Sequence, residues 1–345
     1  MMNTNMDLDC TNEDNNNKRS IVVCKFCCEE YNLQLDVIDQ NEKGFWCDHC
    51  DAYTYFSEDN EQDRGFTLIL EGKAAENEQF DLPAQIKLNK RLSPLRYPGG
   101  KSKLANYILS QMNMKKTDKL VSPYIGGGSV EFALLEAGVF KELVINDYDF
   151  GVYSLFELIK RFPEALTLEI KNRALTHEDF KKAREVIKAD YVNCDMFEAA
   201  WSLIVVNRLA YSGIYKANPL GGIRGTKDQM LSRWNPEDLC KRISKINALA
   251  DRFTVHNIDA LEFIEEQYWE DKATILIDPP YYKQGKNLYL HYYTEEDHVS
   301  LQQLLESLYM GFPCADLLVT YDDVSFIESI YNYPDIKRIK RRFSA

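Results

Sequence analysis

The residues Asp278-Pro279-Pro280-Tyr281 place hydrogen-bond acceptors and an aromatic ring directly after a short apolar run, ATILI at 273–277. An aspartate carboxylate and a main-chain carbonyl can accept both N–H bonds of a planar amine and draw its nitrogen toward a tetrahedral, attacking geometry. The two prolines contribute no N–H donors and stiffen the turn, and Tyr281 offers a ring on which an extruded base can stack. The alternative is an ordinary strand followed by a tight turn, which these four residues alone do not exclude.

A second group of residues has the spacing of a nucleotide-binding cleft. The run VSPYIGGGSVEFALLEAG at 121–138 passes from an apolar strand through Gly126-Gly127-Gly128 into a helical pattern. Glycines there let the backbone turn sharply and lie close to a ligand, and Asp147, at the end of the next strand, can accept hydrogen bonds from ribose hydroxyls. Asp259 follows a later strand and could receive an adenine amino group. Alternatively, Asp147 is a turn residue and Asp259 caps the helix after it.

Four cysteines form two Cys-x-x-Cys pairs, Cys24 with Cys27 and Cys47 with Cys50, separated by 19 residues. This is the spacing of a four-thiolate zinc ribbon, in which each pair brings two sulfurs to one side of the ion. A structural zinc would help to fold a module too small to build a core of its own. Whether the ribbon also grips DNA or a partner protein is left open by the spacing.

One apparent phosphate-binding motif is rejected. Gly100-Lys101-Ser102 resembles the end of a P-loop, but that motif requires glycine where Leu95 stands, and no strand leads into it.

The elements that must position these residues alternate between apolar strands and amphipathic helices from residue 93 onward, which predicts an α/β fold with a parallel sheet. Residues 1–19 read as a polar disordered tail, 20–70 as the zinc ribbon with several short β-like runs, and 71–92 as a linker. A helical region at about 151–250 carries a Gly-rich loop at 213–225. The predicted strands of the main domain are 119–125, 142–146, 253–256, 273–277 and 316–320.

The charge of the chain is unevenly distributed. The net charge is −13, but residues 1–90 carry 19 acidic and 8 basic side chains, whereas residues 201–255 carry 9 basic and 4 acidic ones. A local positive surface is therefore available for phosphates. The basic candidates for phosphate or base contacts, each of which could instead be a solvated surface charge, are Arg208, Lys216, Arg224, Lys227 and Arg233.

The chain shows neither a signal peptide nor an apolar stretch long enough to span a bilayer. Its nine cysteines without a secretory signal indicate reduced thiols and a cytoplasmic location.

The motifs LRYPGGKSKL (95–104), PYIGGGS (123–129), IND (145–147) and DPPYY (278–282) occur in this order, and together they resemble the Dam-type DNA adenine N6-methyltransferases over residues 93–345. The resemblance implies a Rossmann-like sheet that binds S-adenosylmethionine, with a target-recognition region inserted within 151–250. It also implies that double-stranded DNA is the partner.

Residue roles implied by this resemblance follow the matched motifs. Asp278, with Pro279 and Pro280, would hold the target amine, Tyr281 would stack on the flipped base, and Asp259 would receive the cofactor's adenine. The segment VNRLAYSGIYKAN (206–218) looks like the family's DNA-proximal segment and contributes Asn207, Arg208 and Tyr211. The cofactor-binding residues implied by the motifs are Tyr97, Lys101, Tyr124, Gly126, Gly127, Gly128, Ser129 and Asp147.

The chain departs from the family pattern in two places. The zinc ribbon is an addition, and the sequence ends at KRRFSA (340–345), where one more strand is expected to close the sheet. A strand at 336–342 would then be an unprotected edge. Either this form is truncated, or another segment covers that edge.

The sequence thus predicts a DNA adenine N6-methyltransferase that transfers the methyl group directly to an extruded adenine. Two alternatives remain: methylation of RNA or of a protein amide on the same fold, and a zinc-ribbon adaptor that carries an inactive methyltransferase domain.

Overall fold

The computed structural model describes residues 21–23, 30–32, 44–47, 52–55, 65–72, 86–89, 91–96, 100–113, 117–283, 285–312, 314–332 and 334–340. Tyr97, Cys24, Cys27 and Cys50 lie outside the described residues. The chain divides into two compact units, Met1–Gln62 and Asp63–Ala345.

The first unit contains two pairs of short antiparallel strands. Strand β1 (Ile21–Val23) pairs with β2 (Glu30–Asn32), and β3 (Gly44–Cys47) pairs with β4 (Ala52–Tyr55). In the sequence, Cys24 directly follows β1, and Cys47 is the last residue of β3.

The second unit is built on a seven-stranded parallel sheet with the order β11-β5-β10-β9-β6-β7-β8. This confirms the predicted Rossmann-like α/β fold. Its strands are β5 (Phe66–Gly72), β6 (Lys119–Ser122), β7 (Glu142–Asn146), β8 (Phe253–His256), β9 (Ala273–Ile277), β10 (Asp316–Asp322) and β11 (Asp335–Lys340).

Helices cover both faces of this sheet, so its inner strands read as continuous apolar runs. Every residue of β9 is buried, and the two core clusters are separated by the sheet. The helices are α1 (Ala105–Gln111), α2 (Glu131–Glu136), α3 (Phe150–Arg161), α4 (Pro163–Asn172), α5 (His177–Lys188), α6 (Met196–Leu209), α7 (Lys227–Leu231), α8 (Pro236–Asn247), α9 (Ala260–Gln267), α10 (Gly285–Leu288), α11 (Glu295–Gly311) and α12 (Ser325–Ile330). Short 3₁₀ turns lie at Lys101–Lys103, Tyr211–Gly213 and Ala250–Arg252.

Four of the five predicted strands of the main domain agree with the structure at their first residue and to within two residues at their last. The fifth, β6, ends three residues earlier than predicted, because the backbone turns at Pro123 into the glycine loop. The predicted helical region corresponds to α3 through α8, which lie between β7 and β8 in the chain.

The run GFTLIL at 65–70 was included in the predicted zinc ribbon at 20–70. Strand β5 shows that this assignment is wrong. It lies inside the seven-stranded sheet and pairs in parallel with both β10 and β11. Its side chains alternate between the two cores: Leu68 and Leu70 pack in one cluster and Ile69 in the other. A strand that is apolar on both faces is satisfied only between two helical layers, which a small ribbon lacks.

The same strand changes the account of the expected open edge. Strand β11 ends the sheet order, but it joins the sheet through β5 rather than through β10. A segment from before the predicted methyltransferase domain therefore supplies one of the seven strands.

The strand order places a topological switch point between β6 and β9. From β6 the chain builds outward to β7 and β8, whereas β9 and β10 lie on the other side. In open parallel sheets a ligand crevice forms at such a point, beyond the carboxyl ends of the strands. The glycine loop follows β6 and Asp278 follows β9, so both face this crevice.

Within the described residues, no helix combines the length and the apolar character that a bilayer crossing needs.

Candidate active site

Asp278 lies at the carboxyl end of β9 and receives two hydrogen bonds on one oxygen. Lys101 Nζ donates to its Oδ1 at 2.5 Å, and Thr320 Oγ1, from the neighbouring strand β10, donates at 2.8 Å. Among the described residues, both side chains that donate a hydrogen bond to Asp278 therefore bind Oδ1. The other oxygen, Oδ2, can accept a hydrogen bond from a substrate amine.

The protonation of Asp278 is set by opposing influences. Burial raises the pKa of its carboxyl group, the Lys101 ammonium lowers it, and the Glu71 carboxylate raises it again. The pKa lies above its ordinary value as a result, so Asp278 is a better proton acceptor than a solvated aspartate.

Lys101 lies at the centre of a buried polar cluster. Besides Asp278, its Nζ donates to the Tyr281 hydroxyl at 2.5 Å and lies 3.1 Å from Glu71 Oε1. The Tyr281 hydroxyl donates in turn to Glu71 Oε1 at 3.0 Å. The resemblance implied that Lys101 touches the cofactor; in the structure its closest partners belong to the Asp-Pro-Pro-Tyr turn.

Tyr281 is almost completely buried, with 4% of its surface exposed. Lys101 Nζ lies 4.5 Å from the centroid of its ring. The ring is therefore held by its hydroxyl and covered in part by the lysine.

The turn after β9 is fastened to β10 by Asp322. Its two carboxylate oxygens accept hydrogen bonds from the backbone N–H groups of Tyr282 and Lys283, each at 3.1 Å. Pro279 and Pro280 supply no N–H donors, so the turn is held to β10 through the N–H groups of the residues that follow it. This fixes the position of the carbonyls beside Asp278.

The glycine loop after β6 requires its glycines. Gly126 and Gly128 have φ angles of 48° and 61°, a region that other residues rarely adopt. A Cβ at Gly128 would also lie 2.8 Å from the Phe132 ring. The loop can therefore turn tightly and bring its backbone close to a ligand.

Asp147 ties this loop to the end of β7. Its Oδ2 accepts a hydrogen bond from the Gly126 N–H at 2.8 Å, and its Oδ1 accepts one from the Asp149 N–H at 3.0 Å. Burial, and then the nearby Asp149, raise the pKa of Asp147 to about 7. The turn role considered for Asp147 is thus present, and each oxygen keeps a lone pair for another donor.

Asp259 caps helix α9. Its Oδ1 accepts hydrogen bonds from the backbone N–H groups of Leu261 and Glu262, at 2.8 and 3.3 Å. The capping role considered in the sequence is therefore present in the structure, although the residue also lines the cavity described next.

A cavity of about 950 Å³ opens at the switch point, which is large enough for a cofactor and part of a substrate. It brings together most of the cofactor residues implied by the sequence, together with Asp278, Pro280 and Tyr211. The predicted cofactor residues that line it are Lys101, Tyr124, Gly126, Gly127, Gly128, Ser129, Asp147 and Asp259.

Glu131 is a cavity residue that the sequence analysis did not single out. It begins helix α2, is buried, and accepts a hydrogen bond from Ser122 Oγ at 3.2 Å. Burial raises its pKa to about 7, and Asp278 contributes to the same direction.

The target-region residues separate into two kinds. Asn207 and Arg208 are buried: Asn207 exchanges hydrogen bonds with the Arg96 backbone at 2.7 and 3.0 Å, and Arg208 donates to the Pro94 carbonyl. Burial, together with nearby arginines, lowers the pKa of Arg208 to about 10. The exposed members of the predicted DNA-binding set are Tyr211, Lys216, Arg224, Lys227 and Arg233.

Positive charge gathers near the cavity mouth. Arg96 and Arg242 line the cavity. Burial lowers the pKa of Arg96, and the repulsion of Arg233 lowers it further, so Arg233 lies close to the same mouth.

The residues missed in the sequence shared a recognisable signal. Glu71, Thr320 and Asp322 stand at or near the carboxyl ends of parallel strands, where ligand-side residues are expected. Glu71 was missed because the apolar run before it was assigned to the zinc ribbon at 20–70 and Glu71 itself to the linker at 71–92.

No group of three or more metal-ligating side chains occurs among the described residues. Three of the four predicted zinc ligands lie outside the described residues. For the fourth, Cys47, the structure describes the backbone, at the end of β3.

Comparison with known proteins identifies the family of this chain. A family model described as "D12 class N6 adenine-specific DNA methyltransferase" matches residues 97–345. The Type II methyltransferase M.MjaIII of Methanocaldococcus jannaschii is 22% identical over 271 residues, which cover 71% of this chain and 89% of that protein. The residues matched by the family model include the glycine loop, the target region and the Asp-Pro-Pro-Tyr turn. The chain belongs to the D12 class of N6 adenine-specific DNA methyltransferases, which use S-adenosylmethionine as the methyl donor.

Proposed function

We propose that this chain methylates adenines extruded from double-stranded DNA, and that Asp278 and the Pro279 carbonyl hold the N6 amine during the transfer. One observation carries the assignment: Asp278 lies at the switch point of the sheet, on the wall of the same cavity as the glycine loop and Asp147.

The cofactor end of the cavity fits S-adenosylmethionine. The Asp147 oxygens, each with one backbone donor, retain lone pairs for two ribose hydroxyls. New donors at this carboxylate would favour its charged form and lower its pKa from about 7. When bound, the cofactor supplies an electrophilic methyl group on its sulfonium.

The catalytic end prepares the amine. Asp278 Oδ2 and the Pro279 carbonyl accept the two N–H bonds, which localises the nitrogen lone pair. The nitrogen gains the methyl group and loses one proton, which the Asp278 carboxylate is placed to accept because its pKa is raised. Positioning and electrostatics drive this step, without a covalent enzyme intermediate.

Extrusion of the base costs a few kcal/mol of stacking and pairing, which contacts in the cavity must offset. Stacking on Tyr281 requires the residues over its ring to shift, because the ring is buried and Lys101 lies above it. The proposal therefore includes a local movement in the segment that follows the turn, with the Lys101 ammonium kept on Glu71 and the Tyr281 hydroxyl.

Contacts with DNA are assigned to the exposed side chains of the target region. Tyr211, Lys216, Arg224, Lys227 and Arg233 would contact phosphates or bases. Asn207 and Arg208 would act indirectly, since both hold the backbone of residues 94–96 at the cavity wall.

The proposal keeps a zinc ribbon in the first unit and moves its predicted end from residue 70 to residue 62, so that β5 belongs with the methyltransferase domain. Support comes from the cysteine spacing and from the two antiparallel strand pairs, since Cys24 directly follows β1 in the sequence and Cys47 is the last residue of β3. Metal analysis of the purified chain should find one zinc ion, and a Cys47→Ser variant should lose it. Equal zinc content in that variant would contradict the ligand assignment.

The name of the relative from Methanocaldococcus jannaschii, a Type II methyltransferase, supports modification of specific DNA sites as part of restriction-modification. Separately, we propose that the reaction takes place in the cytoplasm.

The test is the transfer of labelled methyl groups from S-adenosylmethionine to unmethylated DNA, with RNA and protein as parallel substrates. Wild type should produce N6-methyladenine in DNA, and Asp278→Ala should produce none while it still binds the cofactor. Asp251→Ala serves as a matched control. Asp251 is an exposed carboxylate just before β8, at the amino ends of the strands, whereas the active site lies at their carboxyl ends. Equal activity of Asp278→Ala and wild type would refute the mechanism, and label in RNA or protein alone would refute the substrate.

A further inference from the structure

Glu71 reaches the active site from outside the part of the chain that matches the family model. It stands at the carboxyl end of β5, whereas the match begins at residue 97. The register of the sheet pairs Glu71 with Asp322 of β10 and with Ile339 of β11. The carboxyl ends of parallel strands meet at one edge, so this register places Glu71 beside the Asp-Pro-Pro-Tyr turn.

The Glu71 side chain is 1% exposed and makes two short polar contacts there. Its Oε1 lies 3.1 Å from Lys101 Nζ and accepts a hydrogen bond from the Tyr281 hydroxyl at 3.0 Å. Lys101 donates to the same hydroxyl and to Asp278 Oδ1. The four side chains therefore form one connected cluster with one ammonium and two carboxylates.

We propose that Glu71 is a positioning residue for methyl transfer: it holds Lys101 and the Tyr281 hydroxyl in place and shares the lysine charge, so that Asp278 keeps a carboxylate oxygen for the target amine. This inference rests on the proposed role of Asp278. It adds a requirement for β5, a strand that the family match does not include.

Glu71 affects the strength of Asp278 as a hydrogen-bond acceptor. An ammonium 2.5 Å from a carboxylate, with no second anion nearby, withdraws much of that carboxylate's ability to accept other hydrogen bonds. Glu71 divides the lysine's interaction between two acids. In agreement with this, its charge acts on the pKa of Asp278 in the direction opposite to that of Lys101.

Glu71 also fixes the direction of the Tyr281 side chain. Its hydroxyl accepts from Lys101 and donates to Glu71, so the ring has a fixed direction relative to the turn. A platform for an extruded base must hold such a direction before the base arrives, because misplacement by about 1 Å can cost a large factor in rate.

Stability of the sheet does not by itself require this carboxylate. The pairing of β5 with its neighbours uses main-chain groups, and an apolar side chain could fill a buried position without the cost of removing a charge from water. A buried glutamate at the one end of β5 that meets the active site is therefore explained better by the reaction than by folding.

The experiment compares Glu71→Gln with wild type in the full chain. The variant keeps the size of the side chain and an acceptor for Tyr281 but removes the charge. We expect kcat to fall at least about tenfold, because the loss of a hydrogen bond or ion pair with a charged group raises the activation free energy enough to slow the reaction by about that factor. The KM for S-adenosylmethionine should change little, because the ribose contacts at Asp147 are intact.

A pH profile supplies the reading that a purely structural role would leave unchanged. Activity requires ionised Asp278, so it is lost as the pH falls through the pKa of that group. Removal of the Glu71 charge lowers this pKa, so the acid limb of the kcat profile should move to lower pH. Thr67→Val, a half-buried position on the same strand, is the control and should leave both kcat and the limb unchanged.

An unchanged kcat and acid limb in folded Glu71→Gln would overturn the inference, and so would a loss confined to thermal stability. If that variant does not fold, Glu71→Asp carries the test, because it keeps the charge but withdraws it from Lys101; wild-type kcat would then overturn the inference. Failure of the wild type to methylate adenine would instead refute the proposed function, so the two failures are distinguishable.

Discussion

At the scale of single residues, the acceptor strength of Asp278 is adjusted by its neighbours in opposite directions. The Thr320 hydroxyl donates to Oδ1 at 2.8 Å and stabilises the ionised form, whereas Glu71 destabilises it. The side chains that surround Asp278 therefore set the pH range in which it can accept the amine.

Replacement of Thr320 by Val tests this balance. Val keeps the buried shape but removes the donor, so the pKa of Asp278 should rise and the acid limb of the kcat profile should move to higher pH, opposite to Glu71→Gln. A hydrogen bond to a charged group contributes ~1.5–3 kcal/mol, so kcat should fall about tenfold or more. Initial rates across pH, with saturating S-adenosylmethionine and DNA, provide the measurement.

Thr274→Val is the matched control for this prediction. Thr274 is equally buried on the adjacent strand, and its hydroxyl pairs with Thr117 at 2.7 Å, at the edge of the sheet opposite the active site. It should cost stability without any movement of the acid limb. A Thr320→Val enzyme with the wild-type limb would show that the hydroxyl does not tune Asp278.

At the scale of elements, β5 connects the edge strand to the rest of the sheet. Strand β11 pairs with β5, and β5 pairs with β10, so loss of β5 would remove both ladders at once. The newly open N–H and C=O groups of β10 would be a template for aggregation.

Two truncated chains test this role. A chain of residues 63–345 keeps β5 and should fold cooperatively, with methyl transfer retained. A chain of residues 91–345, which includes the whole of the predicted 93–345 domain, should aggregate or unfold at lower temperature. Circular dichroism and thermal melting distinguish them, and a stable, active 91–345 chain would show that β5 is dispensable.

This element also marks where the sequence was sufficient and where it was not. The strands that carry the site followed from period and apolar runs, and the glycine loop and the acceptor turn followed from residue type. The strands that pair with β5 could not be predicted in this way, because an apolar run indicates burial on both faces but not which elements bury it. Glu71 was therefore invisible as a site residue until the register placed its strand.

At the scale of the whole molecule, a chain with a net charge of −13 must still approach a polyanion. The excess of acidic over basic residues lies mainly before residue 91, where 19 acidic and 8 basic side chains occur, and a basic excess lies within 201–255. Arg96 and Arg242 on the cavity wall extend that positive region to the active site. Local potential, rather than total charge, governs such an encounter.

Arg233 offers the clearest test of this charge distribution, because it is exposed and close enough to the cavity residue Arg96 to lower the pKa of that guanidinium. Each phosphate neutralised by a protein contributes about 0.9 to the slope of log affinity against log salt concentration. Arg233→Ala should therefore weaken binding to duplexes of any sequence and reduce that slope by about one.

Lys141→Ala is the control: Lys141 is exposed and paired with Asp118 at 3.2 Å, just before β7 and at the edge of the sheet opposite the cavity. Fluorescence anisotropy across a salt series should leave the slope of Lys141→Ala at the wild-type value. An unchanged slope in Arg233→Ala would place the DNA away from this mouth and leave Arg233 as a solvated surface charge.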